Sequence, residues 1–332
     1  MFIWNRKLRK FFTTESAGGL FLVGATLLAL ILANSPARKL YFDVTGKSHL
    51  FVNEILMSLF FFLVGLEIKR EFKEGEPSNP KQAALPVIAA MGGMIVPALI
   101  YFAFNVGGIA SEGWAIAMPT DIALALGALA LLGSRIDSAL KIFLLTLAIA
   151  DDLFSIVVLA FFYSSGIEPL RIIGTIGAVV LAFVIPSGKK LTTSRLIELI
   201  HPWAAFLIIP LFALVNIGMT IDFTHLAEQI NSPVARGIIV GRVLGKFIGI
   251  TLFAWLAIKI GVASKSESIT FVEISGVAAL AGMGLTISLF IAEIAFIEPA
   301  LIENVKVGLL ISALISGLFG YLMLRKNTKA HN

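Results

Sequence analysis

The sequence predicts an all-α polytopic membrane protein of about ten transmembrane helices. Composition is the first reason. The chain is 58% hydrophobic and only 14% charged over 332 residues, with a mean hydropathy of +0.94, beyond what a water-soluble domain carries. The second is spacing: apolar runs near the thickness of a bilayer recur between short charged loops, an arrangement that a single soluble core does not require. The third is periodicity. Nothing alternates with the two-residue rhythm of a barrel, and lipid offers no partner to a bare backbone, so the runs are helices.

The first run, 17–34, follows the basic stretch WNRKLRKFFTTES and lacks a small-residue cleavage pattern, so it reads as a retained helix. The next spans are 52–71, 83–105, 113–133 and 140–163, then the short 170–186, followed by 202–218, 237–260, 272–297 and 305–324. They divide the chain into an N-terminal segment 1–16, a first pair of helices over 17–71, a core triplet over 83–163, a connecting region over 170–218, a second triplet over 237–324 and a tail 325–332. Lys and Arg collect in one set of loops, including Arg6, Lys7, Arg9 and Lys10, Lys69, Arg70 and Lys73, Lys189 and Lys190, and Arg325, Lys326 and Lys329. That bias puts both termini in the cytoplasm, which needs an even number of passes. The net charge of +5 lies in these flanking clusters, so it reads as a topology signal and no nucleic-acid partner is expected. With no cysteine, neither disulfides nor thiolate metal sites are available.

Ionisable residues inside spans are the informative exceptions, because each costs several kcal/mol unless it meets a cavity or a partner. Asp121, Asp151, Asp152 and Lys246 stand near span centres, with Arg242 one turn before the lysine. Neighbouring residues on a helix diverge by about 100°, so Asp151 and Asp152 cannot share one partner. The economical arrangement pairs one of them with Lys246 and turns the other to a water-filled cavity, where it takes a cation or a proton. Arg242 shares the face of Lys246. It either competes for Asp151 and alters the charge state of Lys246, or extends toward the membrane interface.

Two spans also look interrupted. Pro119, followed by Thr120 and Asp121, removes a backbone donor at the centre of the fourth span, and Gly282 and Gly284 sit at the centre of the ninth. These are the middle members of the two triplets, the second of which enters the membrane inverted relative to the first. Such inverted repeats place an ion site where broken helices meet. A carboxylate beside the two positive helix ends and an ammonium beside the two negative ends would offset the dipoles there, roles expected for Asp121 and Lys246.

The segments FFLVGLEIKREF, PVIAAMGGMIVPALIYFAFN, EGWAIAMPTDIALALGALALLGSR, LKIFLLTLAIADDLFSI, HPWAAFLIIPLFALVNIG, LGKFIGITLFAWLA and GMGLTISLFIA resemble, in the same order, the signature segments of the NhaA family of sodium/proton antiporters. The resemblance implies that Asp152 is the principal Na+ ligand, that Asp151 ligates with it and pairs with Lys246, and that Thr120 and Asp121 lie in an unwound helix. It assigns Glu67, Arg70, Glu71 and His201 to a pH-regulatory cluster, with Glu198 where a histidine is usual. Arg242 and Phe247 stand where the family has an apolar residue and a proline. Family members typically have twelve helices, whereas GAVVLAFVIPSGKKLTTSRLIELIHPW resembles the start of the sixth running into the end of the eighth, so two helices between the repeats are missing. The loop PARKLYFDVTGKSHLFVNE is too short for the family's dimerisation hairpin, which weakens the case for a homodimer.

The function expected is electrogenic, pH-regulated exchange of Na+ or Li+ for H+ across a bacterial inner membrane. The ligands are the transported ions, the surroundings are lipid, and neither a cofactor nor an enzymatic activity is expected. The alternative is a shortened relative that keeps the ion site with little or no transport. An aspartyl protease built on Asp121 and Asp152 leaves Lys246 without a role, and a channel lacks an evident selectivity ring.

Overall fold

The computed structural model describes residues 2–74, 80–163, 169–185 and 192–328. Lys189, Lys190 and Lys329, together with the side chains of Arg6, Lys7, Arg9, Lys10 and Lys73, lie outside this description. The described residues are helical throughout, with no strand among them.

Helix α1 (Phe2–Ala33) starts well upstream of the first expected span. The stretch after it, expected to be a loop, is instead helix α2 (Arg38–Leu50), continued through a π turn at Phe51–Leu56 into α3 (Met57–Glu74). Polar and charged residues disguised this helix. It holds its place by burying Tyr41, whose hydroxyl donates to Leu214 O at 2.6 Å. After α4 (Pro80–Phe104) comes the first broken pass, a 3-10 helix at Ile109–Ala117 and then α5 (Ile122–Ala130), bent by 43°. The chain continues through α6 (Ser138–Phe162), α7 (Pro169–Val184) and the joined helices α8 (Thr193–Trp203) and α9 (Ile209–Asn216). A short α10 (Leu226–Asn231) precedes α11 (Pro233–Val240), which passes through a π turn at Gly241–Gly245 into α12 (Lys246–Lys259). The second broken pass is α13 (Phe271–Leu280) with α14 (Thr286–Ala295), and α15 (Pro299–Asn327) ends the fold.

Seven continuous helices are long and apolar enough to cross a membrane, and the bent pair makes an eighth. Helix α7 and the pair α13 and α14, which fall at the sixth and ninth expected spans, are shorter apolar helices. Helix starts carry local signals: Asp137 accepts from Ala139 N at 2.7 Å, Ser232 caps α11 with Pro233 at its first turn, and Thr270 with Glu273 forms a capping box on α13. Lys69, read from the sequence as a loop charge, is buried and donates to Ala182 O and Ile185 O at the end of α7, the end that attracts a cation.

The tightest packing in the bundle joins α4 to α12. Lipid supplies no hydrophobic drive for helices to associate, so close approach through small residues does that work. A Cβ at Gly92 would collide with Gly249 O, one at Gly249 with Gly92 O, and Gly241 and Gly245 face Pro97. This contact fixes the height of the segment that carries Arg242 and Lys246. Replacing Gly249 by Val is therefore expected to cost about 1–3 kcal/mol or more through overpacking, read as a lower melting temperature of the detergent-purified protein. Gly24→Ala, at a site with nothing within 4 Å, is the matched control and leaves melting unchanged.

Candidate functional site

The two breaks touch. The 3-10 helix ends at Ala117 and Pro119 cannot donate; across the non-helical stretch that follows, Asp121 N donates to Met283 O at 3.0 Å and Thr120 Oγ1 to Ala281 O at 3.1 Å. These bonds satisfy, from one broken helix to the other, groups that lipid would leave bare.

Asp121 immediately precedes α5, and its Oδ2 accepts from Thr286 Oγ1 at 2.9 Å and, at the longer 3.5 Å, from Thr286 N, the first residue of α14. One carboxylate thus stands at two helix N termini. Each such end is equivalent to about +0.5 elementary charge, so two offset one carboxylate.

The negative ends are met differently from the sequence-based expectation. Arg242, rather than Lys246, takes the carbonyls. Its Nη2 donates to Pro119 O at 2.7 Å and Nη1 to Ile116 O at 3.2 Å, both at the end of the 3-10 helix, while Nε donates to Gly282 O at 3.1 Å, just past α13. Nη1 also donates to Ser288 Oγ at 2.8 Å. Arg242 is 0% exposed, so it does not reach the membrane interface, and it forms no ion pair with Asp151 among the described residues. Both glycines expected at this break sit in close contacts: a Cβ on Gly284 would collide with the Arg242 side chain at Nη2, and one on Gly282 with Ser316 Oγ and the Arg242 main-chain O.

Lys246, also 0% exposed, pairs with Asp151 Oδ2 at 2.7 Å and donates to Thr120 Oγ1 at 2.5 Å. The two cations therefore grip consecutive residues of the first break, Arg242 the carbonyl of Pro119 and Lys246 the hydroxyl of Thr120. Asp152, on the neighbouring position of α6, is only 4% exposed. Its Oδ1 is buried without a hydrogen-bond partner, as are Asp151 Oδ1 and Ser155 Oγ, and no cation pairs with Asp152 among the described residues. Ser155 was not singled out from the sequence, although its spacing of three and four residues from the acidic pair puts it on the same face.

Asp152 lines a cavity of about 40 Å³ together with Thr120, Asp121, Thr286, Glu67 and His201. A space of this size admits water or a small ion. Glu67 and His201, both buried, close it from α3 and α8, whereas Arg70 and the exposed Glu71 are not part of its wall. Thus the structure brings two of the four expected regulatory residues to the cavity. On the other side of the crossing, Asn53 and Asn216 exchange hydrogen bonds at 3.1 and 2.8 Å, and Asn53 also donates to Glu293 Oε2 at 2.5 Å. Glu293, which the sequence reading passed over near a span end, lies 3.5 Å from His49 Nε2. This cluster ties α14 to the π turn before α3 and to α9.

The profile of the family described as "Na+/H+ antiporter 1" matches residues 9–174 and 170–324. "Na(+)/H(+) antiporter NhaA" of Citrobacter koseri is 40% identical to the chain, with 96% of this chain and 98% of the relative covered. "Na(+)/H(+) antiporter NhaA 1" of Klebsiella pneumoniae is 40% identical, covering 97% and 96%. "Na(+)/H(+) antiporter NhaA" of Escherichia coli O1:K1 is 39% identical, covering 96% and 98%. The Citrobacter koseri alignment extends over 381 positions against the 332 residues present here, so this chain is a shortened form.

Asp121→Asn keeps the shape of the residue that stands at two helix N termini and removes its charge. The expected loss is about 1–2 kcal/mol, measured as a lower melting temperature; melting that is unchanged from wild type contradicts the electrostatic assignment.

Proposed function

The chain belongs to the Na+/H+ antiporter 1 family, and on that premise we propose that it exchanges Na+ or Li+ for H+ across a bacterial inner membrane through Asp152. One observation carries the assignment of the site. The charges at the crossing are offset in sets: Asp121 by two helix N termini, Arg242 by two C termini, and Lys246 by Asp151. Asp152 is left over, buried and facing the cavity. An unpaired carboxylate is expensive in that setting and is stabilised by taking either a proton or a metal cation. Two ligands that compete for one carboxylate are the minimum an antiporter needs.

A hard monovalent cation prefers oxygen ligands. Asp152 and Asp151 supply carboxylate oxygens, with Thr120 and Ser155 near them as neutral ones. A cation arriving at Asp151 weakens its pairing with Lys246; when the cation leaves, the pair re-forms and the crossing regains its charge balance without one. The family resemblance adds that more protons than cations move per cycle, which makes exchange electrogenic and responsive to membrane potential. Glu67 and His201 fit a pH-regulatory role through their position on the cavity wall, and that role extends to Arg70 and Glu71 only by resemblance.

Alternating access follows from the same arrangement. The cavity lies on the side of the crossing that carries Glu67 and His201, assigned to the cytoplasm by the loop charges, and the Asn53, Asn216 and Glu293 cluster closes the other. The two triplets, 83–163 and 237–324, form the moving core, and the missing helices fall between them, outside the site.

The test is sodium-driven dequenching of a pH-sensitive dye in acid-loaded proteoliposomes. Wild type is expected to release protons when Na+ or Li+ is added, and Asp152→Asn to lose at least 100-fold of the rate. Exchange by Asp152→Asn at the wild-type rate contradicts the assignment. A folded wild type that is silent across pH indicates a retained site without turnover.

A further inference from the structure

Arg242 is a fully buried cation with no carboxylate in hydrogen-bonding contact among the described residues, an arrangement that costs several kcal/mol unless other groups replace the lost water. Four acceptors do so, and three of them are main-chain carbonyls at the C-terminal ends of both broken helices. Two such ends are together equivalent to about −1 elementary charge, enough to match one guanidinium. Geometry suits Arg rather than Lys: the planar fork reaches Pro119 O, Ile116 O and Gly282 O at once. The π turn at Gly241–Gly245 carries it, and the glycine at 284 leaves its guanidinium room.

Given exchange at Asp152, on which this inference rests, we infer that Arg242 is a positioning residue: a permanent charge that neutralises both broken-helix C termini and thereby frees Lys246 to serve only as the exchangeable partner of Asp151. Without it, the one remaining cation at the crossing would have to do both jobs. Lys246 is within reach, since it already bonds Thr120, next to the Pro119 carbonyl that Arg242 holds. Drawn toward the helix ends, it would pair less well with Asp151, and the acidic pair would also lose the field of a fixed positive charge. Both changes make protons harder to remove from the carboxylates.

The charged groups that act on this cation are Asp121 in the first break and Asp151 on α6, with Lys246 one turn further along the same helix and Asp152 next to Asp151. Helix α14 presents the uncharged Ser288, and Glu67 and His201 line the cavity with Asp121 and Asp152. Of these, only Arg242 touches both negative helix ends.

The experiment compares pH profiles of sodium-driven proton release in proteoliposomes for wild type, Arg242→Lys and Arg242→Gln, with melting temperatures recorded in parallel. Arg242→Gln keeps a donor and loses the charge; its half-maximal pH is expected to move at least one unit alkaline, a tenfold change in proton affinity. Arg242→Lys keeps the charge and is expected to stay within about 0.3 units of wild type while melting lower. A purely structural role would lower rate and melting temperature in both variants without moving the profile. An Arg242→Gln profile superimposable on that of wild type overturns the inference and leaves the antiport reading standing. If Arg242→Gln does not fold, Arg242→Met takes its place as the uncharged variant: an alkaline shift of at least one unit supports the inference, and a profile superimposable on that of wild type, or a shifted Arg242→Lys profile, overturns it. A wild type that folds and does not exchange removes the antiport reading, and this inference with it.

Discussion

Breaking a helix inside a bilayer leaves peptide groups that no water can reach, and this chain breaks two helices at one place. Four half-helix ends meet there, two positive and two negative, in a medium where each unsatisfied group costs several kcal/mol. The rest of the site follows from how those ends are satisfied. Hydrogen bonds from Asp121 N to Met283 O and from Thr120 Oγ1 to Ala281 O use each break to complete the other. The Asp121 carboxylate covers the positive ends and the Arg242 guanidinium the negative ones. With the ends balanced, Lys246 pairs with Asp151, and Asp152 lines the cavity with no paired cation among the described residues.

This balance separates scaffold from machinery. Asp121 and Arg242 answer fixed backbone charges, which an arriving ion does not alter. On the proposed reading, Lys246, Asp151 and Asp152 answer one another, and their pairing changes with the ligand bound. The packing of α4 against α12 through Gly92 and Gly249 sets the height of both cations on one helix, and the Asn53, Asn216 and Glu293 cluster anchors the outer half of the second broken pass. These contacts are present although the chain is shorter than its relatives.

Much of this was legible from residue type alone. Asp151, Asp152, Asp121 and Lys246 stand out because ionisable side chains are rare in apolar runs, and Pro119 marks the first break because it cannot donate. Arg242 was half legible. Its spacing from Lys246 placed it on the same face, but its acceptors are carbonyls, which carry no signature in a sequence, so its partners could not be named. Helix α2 was missed because helical hydrogen bonding does not require apolar residues, and few of its residues, Tyr41 and Thr45, are buried. Glu293 was overlooked because a carboxylate near a span end resembles an interfacial charge; only the fold brings it to Asn53 and His49. Ser155 is a small residue whose meaning depends on having no partner, and that is visible only in three dimensions.

The central claim is that one buried carboxylate is shared by a metal cation and a proton. The most direct measurement is calorimetry of Na+ binding to the purified wild-type chain in detergent, repeated in buffers of different ionisation enthalpy, which counts the protons released per ion bound. The account predicts at least one proton released at a pH where the site is protonated, falling toward zero as the pH is raised. Sodium binding at that lower pH with no dependence on buffer enthalpy would mean that cation and proton do not compete, and would contradict it.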